Sequence, residues 1–334
     1  MVTIDIVPAI STCIKALRLA GVPLENAQIQ TDLLVEAELR GRASHGLQRL
    51  PRIIQRIANG VADPETTGVA QWKGTALLEV DGCHGLGPVV AFSALKQISA
   101  RARETGVATA TVSNCNHIGM LALYAQRIAE QGQILIAMTT SEALVHPWGG
   151  RKALIGTNPI AIGVPALPTP FVLDMATSLV SMGQIHDYAN RDQPLQPGWA
   201  LDIHGEPTLD AKAARDGAIA PFGDAKGYAL GLAIEVLVAG LTGSALGTDV
   251  KGTLDNHQPC NKGDVFIVLQ PAHNAAQAIS AYLDAIRQCE PTRADRPVLV
   301  PGDRAEVVRR NSLANGVRLP VDIWKQIQAY AGEK

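Results

Sequence analysis

From about residue 70 onward, short runs rich in β-branched residues alternate with segments of helical periodicity, and this alternation constrains the fold most. The strand candidates are TALLEV at 75–80, VATATVS at 107–113, QILIAMTT at 133–140, PFVLDMA at 170–176 and DVFIVLQP at 264–271. Helical segments such as VVAFSALKQISARARETG and LALYAQRIAEQG separate them. Strands alternating with helices predict an α/β core, and taken alone the alternation favours a parallel sheet.

The two ends of the chain lack this alternation and predict helices. The first 60 residues contain ISTCIKALRLAG, LENAQIQTDLLVEAELRG and GLQRLPRIIQRIANG, each with apolar residues at helical spacing. The tail contains RAEVVRRNSLANG and VDIWKQIQAYAG, which are also helical in pattern. We therefore predict one unit over residues 1–334, in which residues 1–70 and 300–334 form a helical lobe and residues 71–299 form the sheet core.

The charge and cysteine content narrow the classes of function. The net charge is −2, and no run of like charges forms a surface for nucleic acid or an anionic membrane. The five cysteines are scattered and odd in number, which is typical of reduced thiols in a cytosolic protein. The start of the chain has no signal-peptide pattern, so we expect a cytoplasmic location. The most apolar segment, GYALGLAIEVLVAGL at 227–241, carries Glu235 and predicts a buried helix.

The stretch SHGLQR at 44–49 places an imidazole within one helical turn of a guanidinium. Ser44 is suited to cap a helix here, which would put His45 in its first turn and Arg49 one turn later on the same face. A 2-hydroxy or 2-oxo acid needs a cation for its carboxylate and a proton donor for its oxygen. Because a helix N-terminus disfavours imidazolium, a bound carboxylate would have to help hold the proton. The alternative is a capped helix with a solvated arginine face.

Polar residues also follow two predicted strands. His117 lies in SNCNHIGM after the strand at 107–113, and Asp174 ends the strand at 170–176. Sites in α/β proteins gather at strand ends, although a surface loop and a helix cap are the plain alternatives. Lys226, in FGDAKGYAL, begins a helix and is suited to a phosphate.

Signatures of the common nucleotide and metal sites are missing from the sequence. No GxGxxG follows the first strand, and GCHGLG at 82–87 lacks that spacing. There is no GxxxxGK[ST], HExxH or GxSxG, and the eight histidines show no metal-ligand spacing, so we predict no metal site. The stretch PGDRAE at 301–306 carries a capping box, whose helix start is a further place for a nucleotide.

The chain resembles the malate/L-lactate dehydrogenase family of the second type over roughly residues 5–330. The resemblance rests on the order and spacing of SHGLQR, NHIG, GTNPIAIGVP, VLDMATS, GWALDIHGEPT, AKGYAL and PGDR. Members are NAD(P)-dependent reductases of 2-keto acids, with ureidoglycolate, diketogulonate, sulfolactate and cyclic-imine relatives. The resemblance implies a non-Rossmann, sulfolactate-dehydrogenase-like fold: a large, mostly antiparallel sheet flanked by helices, with a helical N-terminal lobe. It also implies a homodimer with the site near the subunit interface.

The resemblance further implies a role for individual residues. His45 matches a proton donor or acceptor, Arg49 a carboxylate clamp, and His117 a second histidine that has the acid–base role in some relatives. The resemblance does not rank the two histidines. The positions that match dinucleotide contacts are Thr140, Ser141, Asp174, Met175, Ala176, Lys226, Gly302 and Asp303. The implied cofactor is NAD or NADP, bound by the 71–299 lobe.

We therefore predict an oxidoreductase that interconverts a small 2-hydroxy acid and its 2-keto acid, of the malate, lactate or sulfolactate type. One position departs from the relatives: Gly183-Gln184 stands where hydroxy-acid dehydrogenases often have Gly-Lys and cyclic-imine reductases can have Gly-Asp. An aspartate can pair with an imine nitrogen and a neutral amide cannot, which favours a keto acid. Two alternatives stay open, an NADPH-dependent piperideine- or pyrroline-2-carboxylate reductase and a non-catalytic nucleotide-binding protein.

Overall fold

The computed structural model describes residues 1–333 and consists of helices around one large sheet. The helices are α1 (Ile6–Leu19), α2 (Leu24–Leu39), α3 (Leu50–Ala58), α4 (Gly87–Thr105), α5 (Leu121–Glu130), α6 (Met182–Asn190), α7 (Ala225–Thr242), α8 (Ala276–Arg287), α9 (Asp303–Asn315) and α10 (Val321–Tyr330). The strands are β1 (Val2–Ile4), β2 (Val69–Trp72), β3 (Leu77–Asp81), β4 (Val107–Ser113), β5 (Ile134–Thr139), β6 (Ile160–Val164), β7 (Phe171–Met175), β8 (Ala200–Leu201), β9 (Ala218–Ile219), β10 (Asp264–Leu269) and β11 (Val317–Leu319).

The main sheet has seven strands in the order β2-β3-β4-β10-β5-β6-β7. Only β3 and β4 pair in parallel, and the other five pairings are antiparallel. The parallel sheet that the alternation alone favoured is therefore wrong, and the mostly antiparallel sheet flanked by helices is confirmed. The reason is β10: it lies between β4 and β5 and runs antiparallel to both, so the two strands joined by α5 do not pair with each other.

The sheet is buried on both faces at its centre. On one face, α4 and α5 cover alternate residues of the central strands, including Ala108, Ala110 and Phe266. On the other face, Ile234 and Val238 of α7 pack on neighbours such as Val265 and Met138. A strand covered on both faces needs an unbroken apolar run, which explains why VFIVL in β10 shows no alternation.

The N-terminal helices form a second apolar cluster that includes residues from the far end of the chain. α1, α2 and α3 contribute residues such as Leu17, Leu34 and Ile54, and α10 contributes Ile327. β1 pairs with β11 in antiparallel register, from Val2 opposite Leu319 to Ile4 opposite Val317. The first and last segments of the described chain therefore pack together, while the division into two lobes stays a prediction.

Several local predictions differ from the structure. The segment at 227–241 is helical, but only a third of α7 is buried, and Val236, Leu237 and Leu241 are exposed. By length and composition alone, this helix would be able to cross a membrane. The strands β1, β2, β6, β8, β9 and β11 were not predicted; five of them have only two to four residues, and β6 has five.

Candidate active site

His45 lies in a loop of two short 3-10 turns, Ala43–His45 and Leu47–Arg49, between α2 and α3. The predicted cap is wrong: the α-helix begins only at Leu50, and Ser44 makes no side-chain capping bond. Instead, the Ser44 Oγ lies 3.0 Å from the His45 Nδ1. The Arg49 Nε donates to the Ser44 carbonyl at 2.7 Å, which closes the loop on itself. His45 and Arg49 are still brought to one cavity, by the loop and not by a helix face.

A buried carboxyl from α2 supports this loop. The Leu47 N–H donates to the Glu38 Oε2 at 2.9 Å. A Cβ at Gly46 would lie 2.1 Å from the same oxygen, so a side chain at that position would displace the Glu38 carboxyl. Burial raises the pKa of Glu38 to about 7, although the hydrogen bond from Leu47 partly opposes this.

His117 approaches His45 from the loop that follows β4. The two ring centroids are 5.4 Å apart, with the planes tilted by 38°. The Gly119 N–H donates to the His117 Nδ1 at 3.0 Å. Gly119 has φ +73°, and a Cβ there would lie 1.9 Å from the Leu33 Cδ2, so this turn requires glycine. Both predicted histidines therefore face the same cavity.

The electrostatic environment keeps both imidazoles neutral. Burial, followed by the charges of Arg49 and Arg42, lowers the pKa of His45 to about 3. Burial, Arg49 and His45 hold the pKa of His117 well below its usual range. Burial and the nearby Arg52 lower the pKa of Arg49 to about 10, which leaves it charged at neutral pH. The site thus has an excess of positive charge that an anionic ligand would relieve.

Three arginines spaced three and four residues apart line the cavity, and they differ in what they bind. Arg56 is buried and donates hydrogen bonds to the Asn116 side chain and to the Asp255 and Gln258 carbonyls. Arg49 donates to the Ser44 carbonyl and, at 3.5 Å, to that of Thr253. Among the described residues, Arg52 has neither a hydrogen bond nor an ion pair. The arginine face predicted as an alternative is therefore turned toward the cavity.

A row of hydrogen bonds links the segment after β5 to the segments after β7 and before α7, and of the predicted dinucleotide contacts only Ser141 takes part in it. Ser141, after β5, accepts the Thr157 N–H at 2.9 Å through its Oγ. The Thr157 carbonyl accepts both the backbone N–H and the Oγ of Thr177, after β7. The Thr177 carbonyl in turn accepts the Phe222 N–H, just before α7. This row brings the ends of β5 and β7 and the start of α7 to one edge of the sheet.

The predicted dinucleotide contacts along this edge differ in burial and in hydrogen bonding. Thr140 is buried, and its Oγ accepts the Gly263 N–H. Lys226 is exposed in the first turn of α7, where an ammonium group at a helix N-terminus suits a phosphate. Asp174 accepts the Ala122 N–H at 2.9 Å, and burial raises its pKa. Met175 and Ala176, at the end of β7, are partly buried.

Gly302 and Asp303 lie near the other end of β7. A Cβ at Gly302, where φ is +100°, would approach the Val172 carbonyl to 3.3 Å. Val172 and Met175 are about 10 Å apart along a strand, so the predicted contacts occupy both ends of β7. Asp303 is paired with the Arg287 guanidinium, which holds the pKa of this carboxyl below its usual value. A nucleotide that contacts Asp303 would have to share its carboxylate with the Arg287 guanidinium.

The sheet edge formed by the ends of β5 and β7, where most of the dinucleotide contacts are predicted, is called the nucleotide edge. It is adjacent to the cavity that His45 and His117 line. The first turn of α6, which follows β7, lies against the His45 loop: a Cβ at Gly183 would be 3.1 Å from the Ser44 Cβ. Asp174 binds the N-terminus of α5, directly after the His117 loop. The edge at which most of the dinucleotide contacts are predicted thus lies beside the loops that carry the two histidines. Among residues 1–333, no cluster of three or more histidine, cysteine, aspartate or glutamate residues could hold a metal ion.

Sequence reasoning did not identify the groups that hold the histidines in place. Glu38 was assigned only to a helix, and Gly119 was given no role. A usable signal existed for Glu38, since the glutamates at 36 and 38 point to different sides of α2 and cannot share one solvated face. No pattern pointed to Lys262 and Asp264, a buried ion pair at the start of β10.

The chain is similar over nearly its whole length to known dehydrogenases and reductases. A sequence profile of the malate/L-lactate dehydrogenase family matches residues 4–328. The chain is 33% identical to the (2R)-3-sulfolactate dehydrogenase (NADP(+)) of Chromohalobacter salexigens, over 95% of each chain. It is 32% identical to the Δ1-pyrroline-2-carboxylate/Δ1-piperideine-2-carboxylate reductase of Pseudomonas syringae pv. tomato, over 93% of this chain and 91% of that protein. The crystal structure of a dehydrogenase from Sinorhizobium meliloti superposes with a TM-score of 0.95 at 49% identity, covering 99% of this chain and 98% of the other.

Proposed function

The chain belongs to the malate/L-lactate dehydrogenase family, and on that premise we propose that it reduces a small 2-keto acid to the 2-hydroxy acid, and catalyses the reverse oxidation, at the His45–His117 cavity. It is an oxidoreductase that uses NAD or NADP. The observation that carries the proposal is the convergence of two imidazoles and the guanidiniums of Arg49 and Arg52 on one cavity beside the nucleotide edge. Within residues 1–333, no acidic residue lines that cavity.

Each part of the cavity has a role in this proposal. Arg49 binds the substrate carboxylate, because its side chain lines the cavity and a guanidinium matches a carboxylate in two parallel hydrogen bonds. A histidine exchanges a proton with the substrate oxygen. When bound, the nicotinamide supplies or accepts the hydride. The residues that would hold the dinucleotide are Thr140, Ser141, Asp174, Met175, Ala176, Lys226, Gly302 and Asp303.

Arg52 favours a substrate with a second anionic group, such as a carboxylate or sulfonate on the carbon next to the keto group. Arg52 lies one helical turn beyond Arg49 and lacks a protein partner among the described residues. A guanidinium left unpaired in a partly buried cavity gains most from a ligand that brings its own negative charge. Oxaloacetate and sulfopyruvate carry this second charge, and pyruvate does not.

The cyclic-imine alternative is weaker on one specific observation. The Gly183–Gln184 pair begins α6 against Ser44, so this position adjoins the cavity. A glutamine here brings no negative charge to an iminium nitrogen, and Asp174, which ends β7 outside the lining of the cavity, already accepts the Ala122 N–H. Asp174 is also held near the arginine charges of the α2–α3 loop.

The assembly that fits this site is a homodimer in the cytoplasm, with no nucleic acid or membrane as partner. The support is the exposed apolar face of α7, which carries Val236, Leu237 and Leu241. Contiguous apolar surface of this kind marks an interface. Because Lys226 lies in the first turn of α7, at the edge where the dinucleotide contacts are predicted, a partner that packs on this helix would lie close to the site. Light scattering coupled to gel filtration would give a dimer mass, and a monomer at micromolar concentration would contradict this part.

The test of the function is oxidation of NADH and NADPH at 340 nm with pyruvate, oxaloacetate, sulfopyruvate and Δ1-piperideine-2-carboxylate under one set of conditions. We expect the highest kcat/KM with a dianionic keto acid. In Arg52→Gln, kcat/KM for that acid should fall by about 10-fold or more, with a smaller change for pyruvate, because one charge-assisted hydrogen bond contributes about 1.5–3 kcal/mol. Preference for the imine would contradict the keto-acid assignment. If the protein binds the cofactor but turns over none of the four substrates, the result would favour a non-catalytic nucleotide-binding protein.

A further inference from the structure

Gln30 is a buried polar side chain without a protein partner in the wall of the cavity that His45 and His117 line. It lies on α2, and only 2% of it is exposed. It lines the cavity, yet its amide makes no hydrogen bond to any of the described residues 1–333. By contrast, the amide of Asn26, one turn earlier on the same helix, donates to two backbone carbonyls. Because burying an amide without a partner is costly, an unpaired amide on a cavity wall indicates a polar group of a ligand.

The other uncharged amide and hydroxyl side chains in the lining already have partners. The Asn116 amide accepts the Arg56 Nε–H at 2.9 Å and donates to two backbone carbonyls. The Thr253 Oγ1 donates to the Glu142 carboxylate at 3.0 Å. Apart from the two histidines, the remaining uncharged lining is apolar or glycine. Among the described residues, Gln30 is therefore the one amide or hydroxyl of the lining that is left for a ligand.

Gln30 lies at the end of the cavity that is remote from the His45 loop. Glu38, which holds that loop, lies about 12 Å further along the axis of α2. Leu33, between the two, packs on the loop after β4, because a Cβ at Gly119 would lie 1.9 Å from the Leu33 Cδ2. A substrate group that contacts Gln30 is therefore at the far end of the substrate, beyond the reacting carbon.

From these observations we infer that Gln30 determines substrate specificity: its Nε2–H donates to a carboxylate or sulfonate at the far end of the substrate, the group that Arg52 attracts by charge. The inference rests on the proposed function and adds a residue within that same cavity. Coulomb attraction to Arg52 has little directional preference, whereas an amide N–H selects a group at one distance and angle. Arg52 thus sets the charge that the substrate must carry, and Gln30 sets how far the second anionic group stands from the keto carbon.

Gln30→Met tests the inference, since methionine keeps the length of the side chain and removes the amide. We expect KM for oxaloacetate and sulfopyruvate to rise about 10-fold, with kcat within about twofold of the wild type. KM for 2-oxobutanoate, in which a methyl group replaces the second carboxylate of oxaloacetate, should not change. Thr31→Val is the matched control, because Thr31 is the next residue of α2 and has a buried, unpartnered Oγ1 outside the cavity lining. Its kinetics should be those of the wild type. In Gln30→Met, an equal rise of KM for all three keto acids, or no rise, would overturn the inference.

The stability of the free protein separates a ligand contact from a structural role of the amide. Without substrate, Gln30→Met should unfold at the wild-type temperature or above it, because the amide has no protein partner to lose. A lower unfolding temperature would assign the amide to the fold and would overturn the inference.

A binding test that needs no turnover separates the inference from the proposed function. With NADH or NADPH bound, succinate, a non-reacting dicarboxylate, should raise the unfolding temperature of the wild type more than butyrate at the same concentration. This difference should shrink in Gln30→Met and persist in Thr31→Val. If the difference depends on Gln30 but no keto acid is turned over, the proposed function fails and the Gln30 contact stands. If keto acids are turned over but the difference does not depend on Gln30, the inference alone is overturned.

Discussion

Glu38→Gln should stabilise the protein at alkaline pH and have little effect at acid pH. Glu38 is 6% exposed, and its pKa is raised to about 7 from 4.5. Because the folded-state pKa is raised, folding favours the neutral carboxyl, and stability is lost as pH rises from about 4.5 to about 7. One pKa unit corresponds to about 1.36 kcal/mol, so the wild type should lose about 2–3 kcal/mol relative to the glutamine variant between pH 5 and 8.5. The glutamine still has an oxygen to accept the Leu47 N–H.

The assay is urea unfolding of both proteins at pH 5 and 8.5, with the difference in unfolding free energy compared at each pH. Glu36→Gln is the matched control, since Glu36 lies on the same helix and is also buried. Arg309 and Arg40 lower the pKa of Glu36 against the effect of its burial, so its contribution has the opposite sign. Glu36→Gln should destabilise the protein at pH 8.5, and the loss should shrink as pH falls below 4.5. A Glu38→Gln effect that is the same at both pH values, or a larger loss at pH 8.5, would refute the reasoning.

Three further perturbations follow from the contacts around the site. Arg56→Lys should speed amide hydrogen exchange over residues 253–258, because one ammonium cannot bind all the carbonyls that the guanidinium binds. Mass spectrometry measures this exchange. Unchanged exchange would show that Arg56 does not hold this loop in place. Lys262→Met should lower the unfolding free energy by about 3–5 kcal/mol because it leaves Asp264 buried and unpaired, and Lys262→Met with Asp264→Leu should recover most of the loss in the same urea assay. The pKa of His45 is lowered, so its contribution to the unfolding free energy is present above pH 6.5 and is lost as pH falls toward 3. The unfolding free energy of His45→Gln should therefore depend less on pH in that range than that of the wild type. Equal pH slopes for the two proteins would contradict the lowered pKa.

The sequence predicted the central elements well, because their patterns are long and purely local. VATATVS became β4 with the same bounds, and QILIAMTT, PFVLDMA and DVFIVLQP became β5, β7 and β10. The sheet type did not follow from these patterns, since nothing in VATATVS or QILIAMTT indicates that a strand from residue 264 onward lies between them. Pairing between distant segments depends on the packing of the whole structure. Only the family resemblance implied that the sheet is mostly antiparallel.

The candidate site shows the same division between local and distant information. His45, Arg49 and His117 were identified because each residue carries recognisable chemistry at a recognisable spacing. The predicted Ser44 cap was wrong because the loop closes through the Arg49 side chain and through Glu38, and two 3-10 turns replace the first helical turn. Contacts of this kind depend on partners that are not visible in a window of sequence.

The position of β10 also has a consequence for how the chain is made. Of the seven strands in the main sheet, β10 is the last to leave the ribosome, yet it occupies the middle. Until it is synthesised, the facing edges of β4 and β5 present unpaired backbone groups with no strand between them, and such edges invite pairing with other chains. The nascent protein therefore needs protection over more than 120 residues of translation after β5, and a truncation before residue 264 should give an insoluble product and not a smaller folded unit.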